Sequence, residues 1–119
     1  MLNIEEKTQA VVAALEDIKA TDIAVLDTSK LSSLFERMVI ASAQSTRQTK
    51  ALADSVVVKL KERGEEIFGR EGEETGEWIL IDLGEVIVHI MQPAVRAYYN
   101  LEELWSMQHL QRSAPHKKA

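Results

Sequence analysis

The 119-residue chain contains no cysteine. That excludes disulfides, thiolate nucleophiles and cysteine zinc sites, and it suits a reducing compartment. Only two prolines, five glycines and six aromatic residues occur, so neither a proline-rich linker nor a low-complexity tract is present. Apolar runs extend only a few residues, too short to span a bilayer. Basic residues are in deficit as well. Nineteen acidic residues against fourteen Lys and Arg leave a net charge of −5. Affinity for nucleic acid comes largely from cations that neutralise phosphates, so little or no direct nucleic-acid binding is expected. A basic protein partner suits this field better. The opening Met1-Leu2-Asn3-Ile4 has no basic residue before an apolar run, hence no signal-peptide pattern, and the expected location is cytoplasmic.

Hydrophobic residues make up 45% and charged residues 28%, which are values for one globular domain. Asn3 to Glu6 reads as a capping box that opens a helix. Its stripe is Ile4, Thr8, Val11, Leu15 and Ile18, and its end falls near Ala20. "DIAVLD", Asp22 to Asp27, is apolar on both faces and predicts a central strand. "MVIASA", Met38 to Ala43, predicts a second buried strand. Ser45 to Gln48 forms another capping box. It opens a helix with Leu52, Val56 and Leu60 inward and Gly64 as the C-terminal cap. The segment 64–76 reads as a loop with a short edge strand. "WILID" and "EVIVHIM" predict a hairpin turning at Gly84, and Gln92-Pro93 starts a last helix that runs to about Trp105.

This order predicts an α/β fold: a small mixed sheet with two long helices on one face and a short C-terminal helix. The other face is left with little to cover it. Residues 1–106 read as a single domain and 107–119, with Arg112, Lys117 and Lys118, as a flexible basic tail.

Reactive groups that converge are hard to find. Two-metal chemistry wants carboxylates two apart on a strand, whereas Asp22 and Asp27 are five apart and Asp82 and Glu85 flank a turn. His89 stands alone in its strand and reads as structural or interfacial, with no zinc-ligand spacing around it. "GREGEETG" would repel phosphate rather than cradle it. No metal, cofactor or catalytic residue is expected from these patterns.

The aromatic segment from Trp78 to Trp105 holds both tryptophans and both tyrosines. Ile79, Ile81, Val86 and Val88 read as core. Trp78, His89, Met91, Tyr98 and Tyr99 have the mixed character enriched at interface centres, edged by Arg96, Glu102 and Glu103. Adjacent Tyr98 and Tyr99 cannot share one side of a helix, so at least one faces outward.

"GEWILIDLGEVIVHIMQPAVRAYYNLEELW" closely resembles the signature of the ribosomal silencing factor family, also called RsfS or Iojap. "DIAVLD" and "SSLFERMVIASAQSTRQTKALAD" resemble its earlier segments, so the likeness runs from about Ile4 to Trp105. The family usually has Gly-Thr-Ser before the second helix; here Ala43-Gln44-Ser45 stands there, which weakens any idea of a nucleotide at that turn. The resemblance implies a nucleotidyltransferase-like fold without catalytic carboxylates. It implies binding to the large ribosomal subunit through its ribosomal protein number fourteen, which blocks joining of the small subunit and represses translation. A role in large-subunit biogenesis is also implied. By the family motif the partner-binding residues are Trp78, Asp82, His89, Met91, Arg96, Tyr98, Tyr99 and Leu101, with Asp82 facing a cation of the partner. A homodimer through the same patch is compatible with these residues when the partner is absent. The competing reading is a nucleotide-binding or nucleotidyltransferase-type enzyme, in which Asp22, Asp27 and Asp82 would converge on a metal.

Overall fold

The computed structural model describes residues 2–104. The elements run α1 (Ile4–Asp17), β1 (Thr21–Asp27), β2 (Arg37–Ser42), α2 (Thr46–Glu62), β3 (Gly69–Glu71), β4 (Trp78–Asp82), β5 (Val86–Met91) and α3 (Pro93–Tyr99). The five strands form one mixed sheet in the order β1-β2-β5-β4-β3. Only the β2–β5 pairing is parallel.

Local signals set the start of α1 and both ends of α2 where the sequence predicts them, while α1 ends at Asp17, short of the expected Ala20. Asn3 accepts from the Glu6 amide and Glu6 reaches back to the Asn3 amide, completing the capping box of α1. At α2, Ser45 caps the Gln48 amide at 3.1 Å, but the return arm differs. The Gln48 side chain accepts from the Gln44 amide and donates to the Ile18 and Lys19 carbonyls. One glutamine thus ties the start of α2 to the end of α1. Gly64 ends α2 at φ +83, with the Glu65 amide donating to the Leu60 carbonyl and the Gly64 amide to that of Lys61.

Both long helices lie on one face of the sheet. Val11, Ala14 and Leu15 of α1 and Leu52, Ala53, Val56 and Leu60 of α2 pack on Val39, Ala41, Ile79, Ile81, Val86, Val88 and Ile90. Because strand side chains alternate, Leu26, Met38, Ile40, Trp78, Leu80, Asp82, Ile87, His89 and Met91 fall on the opposite face. There a smaller cluster of Met38, Ile40 and Met91 is joined by Leu26, Phe35, Trp78, Val95 and Leu101.

Two expectations are corrected. β1 is an edge strand, not a central one. Its register shifts between Thr21 and Ala24, and Asp22 sits there at φ +49. Such a bulge interrupts a ladder, which an edge tolerates and a strand paired on both sides does not. The residues of β1 are apolar on both faces because Ile23 packs toward the helices while Leu26 joins the opposite cluster. The last helix does not run unbroken to Trp105 either. Asn100 caps α3 in the left-handed conformation at φ +49, and helical geometry resumes over 101–104. Asparagine tolerates that conformation where most side chains do not. Trp105 and the basic tail lie outside the described residues, as does the boundary set between 106 and 107.

Candidate docking face

The β4–β5 hairpin presents the open face. Its turn avoids a left-handed leucine: Gly84 takes φ +88, and the buried Leu83 donates its amide to the Val86 carbonyl. Asp82 Oδ1 accepts from the Gly84 amide at 2.8 Å, so this carboxylate fixes the turn as well as edging the face.

Pairing places Trp78 opposite Met91 and Leu80 opposite His89, which makes Trp78 and His89 diagonal neighbours. Trp78 Nε1–H donates to His89 Nδ1 at 2.9 Å, and the ring centroids are 5.8 Å apart. His89 is only 6% exposed, and burial pushes its pKa down to about 4. It is therefore a neutral imidazole with Nδ1 as acceptor and the remaining proton on Nε2.

Tyr99 extends the stack, its ring 4.9 Å from that of Trp78, and Tyr98 meets Tyr99 edge-on at 4.9 Å. Tyr98 is 80% and Tyr99 53% exposed. The expectation that at least one tyrosine faces outward is met by both. α3 buries none of its residues fully, so it lies across one end of the open face rather than inside a core.

Three of the predicted contact residues serve the face from beneath. Met91, expected as an apolar anchor, is 0% exposed and lies in the cluster on which Val95 and Leu101 rest. His89 positions the Trp78 indole. Arg96 is spent within the chain. Its Nε and Nη2 fork onto both oxygens of Glu102 at 2.8 and 2.7 Å, and Nη1 donates to Ser42 Oγ at 2.8 Å. Arg96 holds the Glu102 carboxyl below its ordinary pKa by hydrogen bonding. This clamp ties α3 and the 101–104 turn to the end of β2.

The face also includes residues the sequence argument passed over: Leu26, Leu80 and Ile87 are half-buried on it. Leu80 and Ile87 were legible by alternation with the core set Ile79, Ile81, Val86 and Val88.

The carboxylates required by the enzymatic reading do not meet. Asp22 and Asp27 lie on β1 and Asp82 on β4, with β2 and β5 between them. Three strand spacings amount to about 14 Å, too far for shared metal ligands. Asp27 is held by Ser29 and by Arg37 at 3.3 Å; its pKa is lowered, first by the Ser29 hydroxyl. Among the described residues no three His, Asp or Glu side chains gather as a metal site. No helix among them is long and apolar enough to cross a membrane.

Comparison with known proteins agrees with this architecture. The family model described as "Ribosomal silencing factor during starvation" matches residues 2–119. The ribosomal silencing factor RsfS of Chromobacterium violaceum is 58% identical over 107 residues, spanning 90% of this chain and 88% of that protein. The Haemophilus influenzae RsfS is 45% identical over 92 residues, spanning 77% of this chain and 90% of its own length. A crystal structure of a Chromobacterium violaceum protein, 58% identical, superposes with a TM-score of 0.87 over 88% of each chain. The chain belongs to the ribosomal silencing factor family.

Proposed function

We propose that this protein binds the large ribosomal subunit in the cytoplasm and represses translation by blocking attachment of the small subunit. Its partner there is ribosomal protein number fourteen, and the protein itself performs no chemistry. The observation that carries this reading is the open sheet face. A half-buried apolar floor of Leu26, Leu80 and Ile87 leads to the exposed Tyr98 and Tyr99, and among the described residues α3 and the segment after it cover only one end of the face. Such a surface on a small acidic protein calls for a partner.

Trp78, Tyr98, Tyr99 and Leu101 supply the apolar and aromatic contacts. Asp82 supplies a charged edge, and His89, Met91 and Arg96 hold the contact residues in place. Net charge −5 disfavours docking on bare RNA and favours a basic protein exposed on the ribosome. A rigid sheet backed by two helices has the bulk that steric exclusion needs.

The test mixes the purified protein with separated subunits, adds Mg²⁺ to drive joining, and resolves the mixture on a sucrose gradient. Co-sedimentation with the large subunit and a smaller joined peak are expected. Co-sedimentation with an undiminished joined peak would transfer the role to subunit maturation. Protein left at the top of the gradient would remove the docking claim altogether.

A further inference from the structure

Strand pairing fixes which side of the sheet each residue takes. Glu71 of β3 stands opposite Leu80 of β4, and Gly69 stands opposite Asp82. Glu71 and Asp82 therefore project from the open face, beside Leu80 and Ile87. Arg70, between Gly69 and Glu71, turns the other way and meets Asp54 of α2 at 2.6 Å, as alternation requires. Glu71 also lines an open groove of about 230 Å³ together with Gly72, Trp78 and Leu80.

Of the side chains that the regular pairings place on this face, only Glu71 and Asp82 carry charge, because His89 is neutral. Both belong to the two strands at one margin of the sheet. Glu71 is exposed, and among the described residues no lysine or arginine pairs with either carboxylate. Asp82 gives Oδ1 to the Gly84 amide, which leaves Oδ2 for another donor. Gly69 occupies the position the two carboxylates flank, so no side chain fills it. Diagonal neighbours on such a ladder lie about 7–8 Å apart, a span that one cationic head can close from above.

The chemistry of the occupant follows. An apolar side chain laid here would leave two carboxylates desolvated and unpaired, and an acidic one would be repelled. A lysine or arginine satisfies both halves of the margin. Its alkyl stem covers Leu80 while its head reaches the carboxylates. Toward β1 the face offers only the apolar Ile87 and Leu26, so a cation has no second place to go on the strands.

We propose that Glu71 and Asp82 together receive a lysine or arginine side chain of the basic protein partner. The contact sets the direction in which that partner lies across the sheet, its cation over β3 and β4 and its apolar side chains over Ile87 and Leu26. This rests on the docking reading and deepens it, adding Glu71 to the contact residues.

The test sediments wild type and single-charge variants with large subunits at low and high salt. Glu71→Gln removes one charge. Asp82→Asn removes the other and keeps an acceptor for the Gly84 amide. Glu16→Gln, on the exposed side of α1, changes the net charge equally but away from the face. Glu71→Gln and Asp82→Asn should each weaken binding about threefold at low salt, the scale of one exposed ion pair, and the loss should shrink at high salt. Glu71→Lys should weaken it further by like-charge repulsion. Glu16→Gln should bind as wild type does. Equal losses from all three neutralisations would overturn the proposal, since net charge alone would then steer the encounter. A loss with Asp82→Asn alone would overturn it for Glu71 and move the cation to the hairpin turn. Binding that neither variant weakens would overturn it while leaving the docking face intact. Failure of the wild type to bind would remove the partner, and this contact with it.

Discussion

Trp78 and His89 are joined across the β4–β5 ladder by a hydrogen bond whose acceptor is a neutral imidazole nitrogen, 2.9 Å from the indole donor. A protonated His89 would present N–H to N–H, so the pair exists only while the histidine is uncharged. The unfolded chain takes up that proton as pH falls through 6.5, whereas the folded chain resists until about 4. The unfolded state thus binds more protons in this window, and stability falls as pH drops through it. The shift corresponds to about 3 kcal/mol lost by pH 4. Denaturant unfolding at successive pH values should show this slope. His89→Gln, which keeps an acceptor for the indole but does not titrate, should flatten it; an unchanged slope would place the acid sensitivity elsewhere.

Arg96 was expected at the partner surface from its match to the family motif, which says nothing about where its guanidinium turns. The structure turns it inward onto Glu102 and Ser42. A stability effect should therefore accompany any loss of docking. Arg96→Lys cannot reproduce the bidentate fork and should cost about 1–2 kcal/mol in denaturant unfolding. Glu102→Gln should cost less on its own. A double-mutant cycle between the two should return coupling of about 1 kcal/mol. Arg96→Lys with unaltered stability but lost ribosome binding would restore Arg96 to the contact surface.

The same inward pull explains how far the sequence could be read. Capping residues, the helical stripes, the buried β2 strand and the hairpin turn at Gly84 were legible because each depends on neighbours within a few positions. The place of β1 in the sheet was not. Apolar residues on both its faces report that both faces are covered, and not how many strands flank it. The break at Asn100 was hidden by helical spacing that resumes over 101–104. At the candidate face, Trp78, Tyr98 and Tyr99 were visible as aromatics out of proportion to the rest of the chain. Lys7 was hidden in another way. It lies on the apolar stripe of α1 between Ile4 and Val11, where a lysine usually extends past the core into water.

Lys7 instead is 5% exposed. It lies 3.2 Å from the equally enclosed Glu65, donates to the Leu83 carbonyl at 2.7 Å, and approaches Glu85 at 3.7 Å. Glu65 also accepts from the Leu2 amide, and this bond, ahead of Lys7, lowers its pKa. The cluster pins the hairpin turn to α1. Lys7→Met strands a buried carboxylate and should cost about 3 kcal/mol. Adding Glu65→Leu should recover most of that loss, because two apolar residues need no desolvated charge balanced. A double variant no more stable than Lys7→Met would show that the bonds to Leu2 and Leu83, not charge pairing, dominate.

Tyr98 separates folding from docking most cleanly. At 80% exposure its phenol ring has little core to lose, and among the described residues its one ring contact is the edge-on pair with Tyr99. Tyr98→Ala should change unfolding stability by no more than about 0.5 kcal/mol, the ordinary range for a surface position. Exposed aromatics at the centre of an interface behave differently, and truncating one typically costs 2 kcal/mol or more, roughly thirtyfold in affinity. Large-subunit binding by the variant, followed by sedimentation, should fall by about that factor while the melting curve stays in place. Met91→Ala should do the reverse in order of cause. Opening a cavity beneath Val95 and Leu101, it should lose about 2–4 kcal/mol of stability, and binding should weaken only as the floor of the face gives way. If Tyr98→Ala binds as wild type does, the exposed ring lies outside the contact, and docking must centre on the strands between Leu26 and Leu80 instead.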